Sequence, residues 1–150
     1  MSVPPMGATV SPDGDLVLDV SLSCAWCFAD EASPAAWKLL ERMQKAVAHV
    51  PALWLWEMGN VLVQAERRGR ITSAAIRTFL GLLETLPVCV DHATTASAWH
   101  DTLALAPSHG LTVYDAAYLE LALRRGLPLA SRDKALQAAA RREGVPLLPS

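Results

Sequence analysis

The sequence contains no apolar run of bilayer-spanning length, and its first fifteen residues lack both a basic start and a long apolar stretch. Neither a transmembrane helix nor a secretory signal is expected, and the protein is placed in the cytoplasm with no membrane partner. Cysteine is scarce: three residues are an odd number and too few to staple a fold, so the thiols are expected to be reduced and the folding energy to come from packing. An excess of positive charge is missing too. Thirteen Lys and Arg stand against fifteen Asp and Glu, for a formal net charge of -2, which excludes the basic body of a sequence-independent duplex binder. What the chain has in quantity is apolar side chains, 52% of 150 residues, enough to build the core of a single globular domain.

Residues 1–14 hold three of the ten prolines and little apolar periodicity, and they read as a flexible leader before a domain spanning 15–150. Leu16-Val17-Leu18-Asp19-Val20 is a run of strand length, followed at once by a helix reaching about Asp30. Ser33-Pro34 is a helix start, Ser as cap and Pro at the first helical position, continuing to Ala46. Val47–Val50 reads as the second strand. Trp54–Arg68 reads as helix stopped at Gly69, and Thr72 caps the next one through about Glu84. Val88–Val90 and Pro128–Ala130 supply further strands, with helices over Ala93–Ala106, Tyr114–Arg125 and Asp133–Arg142, and Val145–Leu148 as a fifth strand. Short apolar strands alternating with helices predict an α/β fold: a short, mostly parallel sheet of four to five strands covered by helices on both faces.

In such a sheet the chemistry collects beyond the carboxyl ends of the strands. Asp19 ends the first strand and Asp133 lies three residues past the fourth, while Glu57 and Asp115 stand near the beginnings of two helices. Glu57, Asn60 and Gln64 are spaced i, i+3, i+7 and form one polar stripe on a helix that is otherwise apolar almost all round, and that helix is therefore expected to be buried. Several acids in apolar surroundings repel one another and take up protons unless a cation lies between them. Oxygen ligands alone favour magnesium or manganese over zinc, and such ions support phosphodiester hydrolysis.

These residues carry a resemblance. The segments Leu-Val-Leu-Asp-Val-Ser at 16–21, Trp-Glu-Met-Gly-Asn-Val-Leu at 56–62, Leu-Thr-Val-Tyr-Asp-Ala-Ala-Tyr-Leu-Glu-Leu-Ala at 111–122 and Leu-Pro-Leu-Ala-Ser-Arg-Asp-Lys-Ala-Leu at 127–136 resemble, in order and spacing, a PIN-domain ribonuclease of the VapC toxin type. The resemblance covers roughly residues 16–148 and implies a PIN-like fold. It also implies that Asp19, Glu57, Asp115 and Asp133 form the acidic cluster, with Asp19 and Asp115 as direct metal ligands. Ser21, Asn60 and Ser131 match the polar supporting positions. The activity implied is magnesium- or manganese-dependent endonucleolytic cleavage of RNA by a homodimer, held in check by a cognate antitoxin. Arg124 and Arg132 flank the site in sequence and are candidates to guide RNA phosphates.

Each feature also has a plainer reading. Asp115 and Asp133 each precede a helical run and, taken singly, read as N-caps worth about 1 kcal/mol. Cys24-Ala25-Trp26-Cys27 opens a helix after a strand, the setting of a thiol redox pair, and with Cys89 and His92 it makes a CxxC plus CxxH zinc set; buried free thiols are the preferred reading of both. The tryptophans read as core or interface anchors, and the hydrophobic content with tryptophan-rich helices predicts an apolar face covered by a twin subunit, an antitoxin or both. The alternatives to the nuclease are a non-catalytic PIN-like interaction module and a Cys24/Cys27 redox protein.

Overall fold

Leu16, Val17 and Leu18 form β1, a three-residue strand without any exposed surface, so both of its faces lie in the core. Around it the computed structural model, which describes residues 11 and 13–148, assembles β2 (Ala48–Pro51), β3 (Val88–Asp91), β4 (Leu129–Ala130) and β5 (Leu147–Leu148). All four pairings are parallel and the strand order is β3-β2-β1-β4-β5. Most of the leader, residues 1–10 and 12, lies outside the described residues, as do the last two residues of the chain. The end of the leader is tied down: Arg42 donates to the carbonyls of Ser11 and Gly14 at 2.8 and 3.0 Å.

Parallel strands need crossovers, and here each crossover is helical. β1 leads through α1 (Val20–Ser23) and α2 (Pro34–Arg42) to β2, which leads through α3 (Leu53–Arg67) and α4 (Ser73–Thr85) to β3. The chain then returns past β1 by way of α5 (Thr102–His109) and α6 (Val113–Arg125) to β4, and α7 (Lys134–Arg142) connects β4 to β5. Right-handed crossovers place helices laid down in opposite directions of travel on opposite faces, giving the expected α/β architecture. The direction of travel changes between β1 and β4, whose register pairs Leu18 with Ala130. A crevice opens at such a switch, at the carboxyl ends of the two strands.

The structure corrects several boundaries. The first helix stops at Ser23 and continues as two 3₁₀ turns, Cys24–Trp26 and Ala29–Glu31, because the chain bends to bury Phe28 against Ala65 and to let Trp26 donate to the Ala36 carbonyl at 2.9 Å. α2 ends at Arg42 rather than Ala46, since turns at Arg42 carry the chain into the sheet. The stretch from Ala93 is not one helix: a π-helical segment, Ala96–Asp101, precedes α5, braced by the Thr102 hydroxyl donating to the Ser97 carbonyl at 2.7 Å. The largest correction is α3. Only Trp54, Met58, Leu62 and Ala65 are buried, while Leu55, Val63 and Trp56, the last 78% exposed, face outward. The apolar residues run round the whole helix, but the sheet covers just one side.

Candidate active site

The site at the carboxyl ends of β1 and β4 is built on Asp19, which follows β1, has an extended backbone and is 4% exposed. Its amide donates to the Ala130 carbonyl at 2.9 Å, locking it to β4. Its Oδ2 accepts from the Ser21 hydroxyl at 2.8 Å and the Ser131 hydroxyl at 2.6 Å. Each hydroxyl in turn accepts a backbone N–H from the β4–α7 turn, Ser21 from Arg132 at 2.9 Å and Ser131 from Asp133 at 3.0 Å. A hydroxyl carries one proton, so these acceptor contacts leave each serine proton directed at Oδ2. Burial nonetheless raises the Asp19 carboxyl above its ordinary range, with the Asp133 charge adding and the serine bonds opposing.

The other acids arrive from α3, α6 and the start of α7. Asp115 is not an N-cap: Thr112 caps α6, accepting the Asp115 amide at 3.1 Å, and the carboxylate is left free in the first helical turn. Burial raises its pKa, followed by the charges of Asp133 and Asp19. Tyr118 lies one turn further along the same face and donates its hydroxyl to Glu57 Oε1 at 2.6 Å. Glu57 is half-buried and is likewise raised, first by desolvation and then by Asp19 and Asp115, with the Tyr118 bond opposing. Asp133 does cap α7, through Oδ1 to the Leu136 amide at 2.8 Å, so its plain reading and its place beside the other acids hold together.

Burial and the charges of neighbouring acids therefore raise the proton affinity of three carboxylates, Asp19, Glu57 and Asp115, that come from separate segments. Among the described residues none of them makes an ion pair with Lys, Arg or His. No three His, Cys, Asp or Glu side chains among the described residues already stand together as a metal cage. An all-oxygen donor set with unbalanced negative charge fits a hard divalent cation. Asn60 shares the polar stripe of Glu57 but is exposed and makes no side-chain hydrogen bond with the described residues.

Both arginines expected beside RNA phosphates are engaged within the protein. Arg124 binds Asp91 at 2.6 and 3.2 Å and Glu120 at 2.7 and 3.2 Å, while Arg125 also reaches Asp91 at 2.9 Å. Arg124 holds the Asp91 carboxyl below its usual range against the opposing effect of burial. Arg132 binds the Ser21 carbonyl, the Glu31 carbonyl and the Glu31 carboxylate. The sulfur readings find no support in the geometry. Cys24 is buried, Cys27 half-buried and Cys89 exposed, all three are free, and desolvation pushes the Cys24 thiol up to about 12, the wrong direction for a redox nucleophile. Among the tryptophans only Trp54 is a core residue by burial; Trp37, Trp56 and Trp99 are exposed. Tyr118 was not foreseen from the sequence, although its i, i+3 spacing from Asp115 was a signal for it. Glu120 and Arg124 are an i, i+4 pair on α6, but their link to Asp91 left no such local trace, because Asp91 comes from β3.

The PIN domain family model matches residues 16–142. Over 121 residues the chain is 32% identical to a protein of Pyrobaculum aerophilum named ribonuclease VapC3, covering 81% of this chain and 91% of that one. It is 34% identical over 98 residues to an exonuclease VapC9 of the same organism, covering 65% of this chain and 68% of the other. Among solved structures, PAE2754 of P. aerophilum superposes with a TM-score of 0.65 at 26% identity, covering 85% of each chain. A Mycobacterium tuberculosis toxin described as cleaving the sarcin-ricin loop, VapC20, shares the fold with a TM-score of 0.63 at 19% identity, over 83% of this chain and 94% of its own.

Proposed function

The chain belongs to the PIN-domain family, in its VapC branch, and on that premise we propose that it is a magnesium- or manganese-dependent endoribonuclease toxin, a hydrolase of RNA phosphodiester bonds restrained by a cognate antitoxin. The observation that carries the reading is the approach of Asp19, Glu57, Asp115 and Asp133 to one another beyond the carboxyl ends of β1 and β4, with no basic side chain among the described residues paired to them. A bound divalent ion would supply polarisation of the phosphate and stabilisation of the leaving oxygen.

Asp19 and Asp115 would hold the ion, and Ser21 and Ser131 fix the Asp19 carboxylate by donating to its Oδ2. Glu57, its Oε1 held by Tyr118, keeps Oε2 to orient a water and accept its proton; the carboxyl, raised first by burial and then by Asp19 and Asp115, has gained basicity for that step. Asp133 adds negative charge while its turn fixes the serines. Outside the crevice, the exposed apolar side chains Leu55, Trp56, Val63, Trp99, Leu103 and Tyr114 support contact with a second copy and with an antitoxin, in the cytoplasm. Among the described residues no helix is long and apolar enough to cross a membrane.

The test is manganese calorimetry and RNA cleavage on the same samples of the parent and Asp19→Asn, each shown folded by circular dichroism. The parent is expected to bind and cleave, and the variant to lose at least about 100-fold in cleavage together with its metal binding. A folded parent that binds no manganese and cuts no RNA would replace the nuclease with a non-catalytic interaction module.

A further inference from the structure

Arg132 sits in the turn between Ser131 and Asp133, yet its side chain reaches away from that turn. Nε and Nη2 donate to the Ser21 carbonyl at 3.1 and 2.7 Å, Nη1 donates to the Glu31 carbonyl at 3.1 Å, and Nη2 also reaches Glu31 Oε1 at 2.9 Å. Glu31 is held from its other side by Arg70, which also binds Asp30 and lies over the Phe28 ring at 4.2 Å. The guanidinium therefore ties the β4–α7 turn to α1, just after β1, and to the 3₁₀ turn Ala29–Glu31. One planar group thus joins the turn to two segments that lie 111 and 101 residues earlier in the chain.

We propose that Arg132 is a positioning residue that acts through Ser21 on Asp19. The side chain grips the carbonyl of Ser21 while the backbone amide of the same residue occupies the acceptor side of the Ser21 hydroxyl. With both contacts made, the hydroxyl proton is committed to Asp19 Oδ2. The parallel contact of the Asp133 amide on Ser131 depends on the same turn, so a turn that drifts from Ser21 loosens both serine bonds. This inference rests on the nuclease reading for its effect on catalysis, but the latch itself is a property of the fold. It replaces the expectation that Arg132 contacts RNA phosphate, and the two roles separate experimentally.

A latch needs the planar, multiply donating fork, whereas a phosphate contact is satisfied by any cation in reach. Arg132→Met, which keeps the apolar stem, and Arg132→Lys are compared with the parent by hydrogen exchange, manganese calorimetry and steady-state RNA cleavage. Both variants are expected to exchange faster across residues 19–31 with the remaining core unchanged, to weaken manganese binding about 10-fold, and to lose about 10-fold in kcat with KM near that of the parent. Lys does not rescue, because one ammonium cannot span the Ser21 carbonyl and Glu31. A raised KM at unchanged kcat, restored by Lys, overturns the latch in favour of a phosphate contact. If the parent itself neither binds manganese nor cleaves RNA, the nuclease reading falls; exchange then decides the latch alone, and unchanged protection at 19–31 overturns it.

Discussion

At Asp19 a single residue carries both the strongest functional signal and a cost to the fold. The carboxyl is buried, its burial and the nearby Asp133 raise its pKa, and the serine bonds offset only part of that. Asp115 and Glu57 are raised as well. An acid with a raised folded pKa holds its proton more tightly folded than unfolded, so the metal-free protein loses stability as pH rises from the ordinary aspartate value of 3.8 through the raised value. The thermal midpoint in chelator is therefore expected to decline across that window and to stay low at neutral pH. Asp19→Asn removes one contributor: at pH 7 in chelator it is expected to melt about 3 °C above the parent, roughly 1 kcal/mol, and to lose the rise that manganese gives the parent. A variant melting lower than the parent in chelator would show that the serine bonds outweigh the burial.

Among the elements, the glycines separate local backbone demands from packing. Gly126 ends α6 with a φ of +64°, and no atom lies within 4 Å of where a Cβ would be, so its requirement is purely conformational. Gly59 sits inside α3 at an exposed position, also with open space around it. Gly126→Ala is expected to destabilise by about 1 kcal/mol and Gly59→Ala to stabilise by about 0.5–1 kcal/mol, both read by urea unfolding at unchanged m. Shifts of the same sign would refute the distinction. The caps follow the same local logic: Ser33 accepts the Ala36 amide and Thr72 the Ala75 amide, as the sequence reading expects. The stretch after Ser23 does not, because the burial of Phe28 overrides the propensity of the residues around it.

For the molecule as a whole, the apolar surface is the feature that the isolated chain does not account for. Trp56, Trp99 and Tyr114 are 78%, 67% and 66% exposed, on three different helical segments. Large aromatic side chains left in water by a domain that has already closed its core favour association. The purified protein is expected to sediment as a dimer at micromolar concentration. A single 16.1 kDa species over that range would remove the homodimer and leave the antitoxin as the occupant of the apolar face.

The order of the strands, the caps Ser33, Thr72 and Asp133 and the helix-ending glycines were legible along the chain, because each depends on local periodicity or on a short motif, whereas the grouping of the four acids was implied only by the family resemblance. Tertiary structure decided what depends on residues far apart. The 3-2-1-4-5 order sets β4 beside β1 and so brings Ser131 to Asp19 across more than a hundred residues. Packing on one side only turned a helix apolar all round into one with an exposed face. Arg124 and Arg132 look alike in sequence as free cations near the acids; the fold commits one to Asp91 and Glu120 and the other to Ser21 and Glu31. A charge shows its sign in the sequence, but its partner is chosen by geometry.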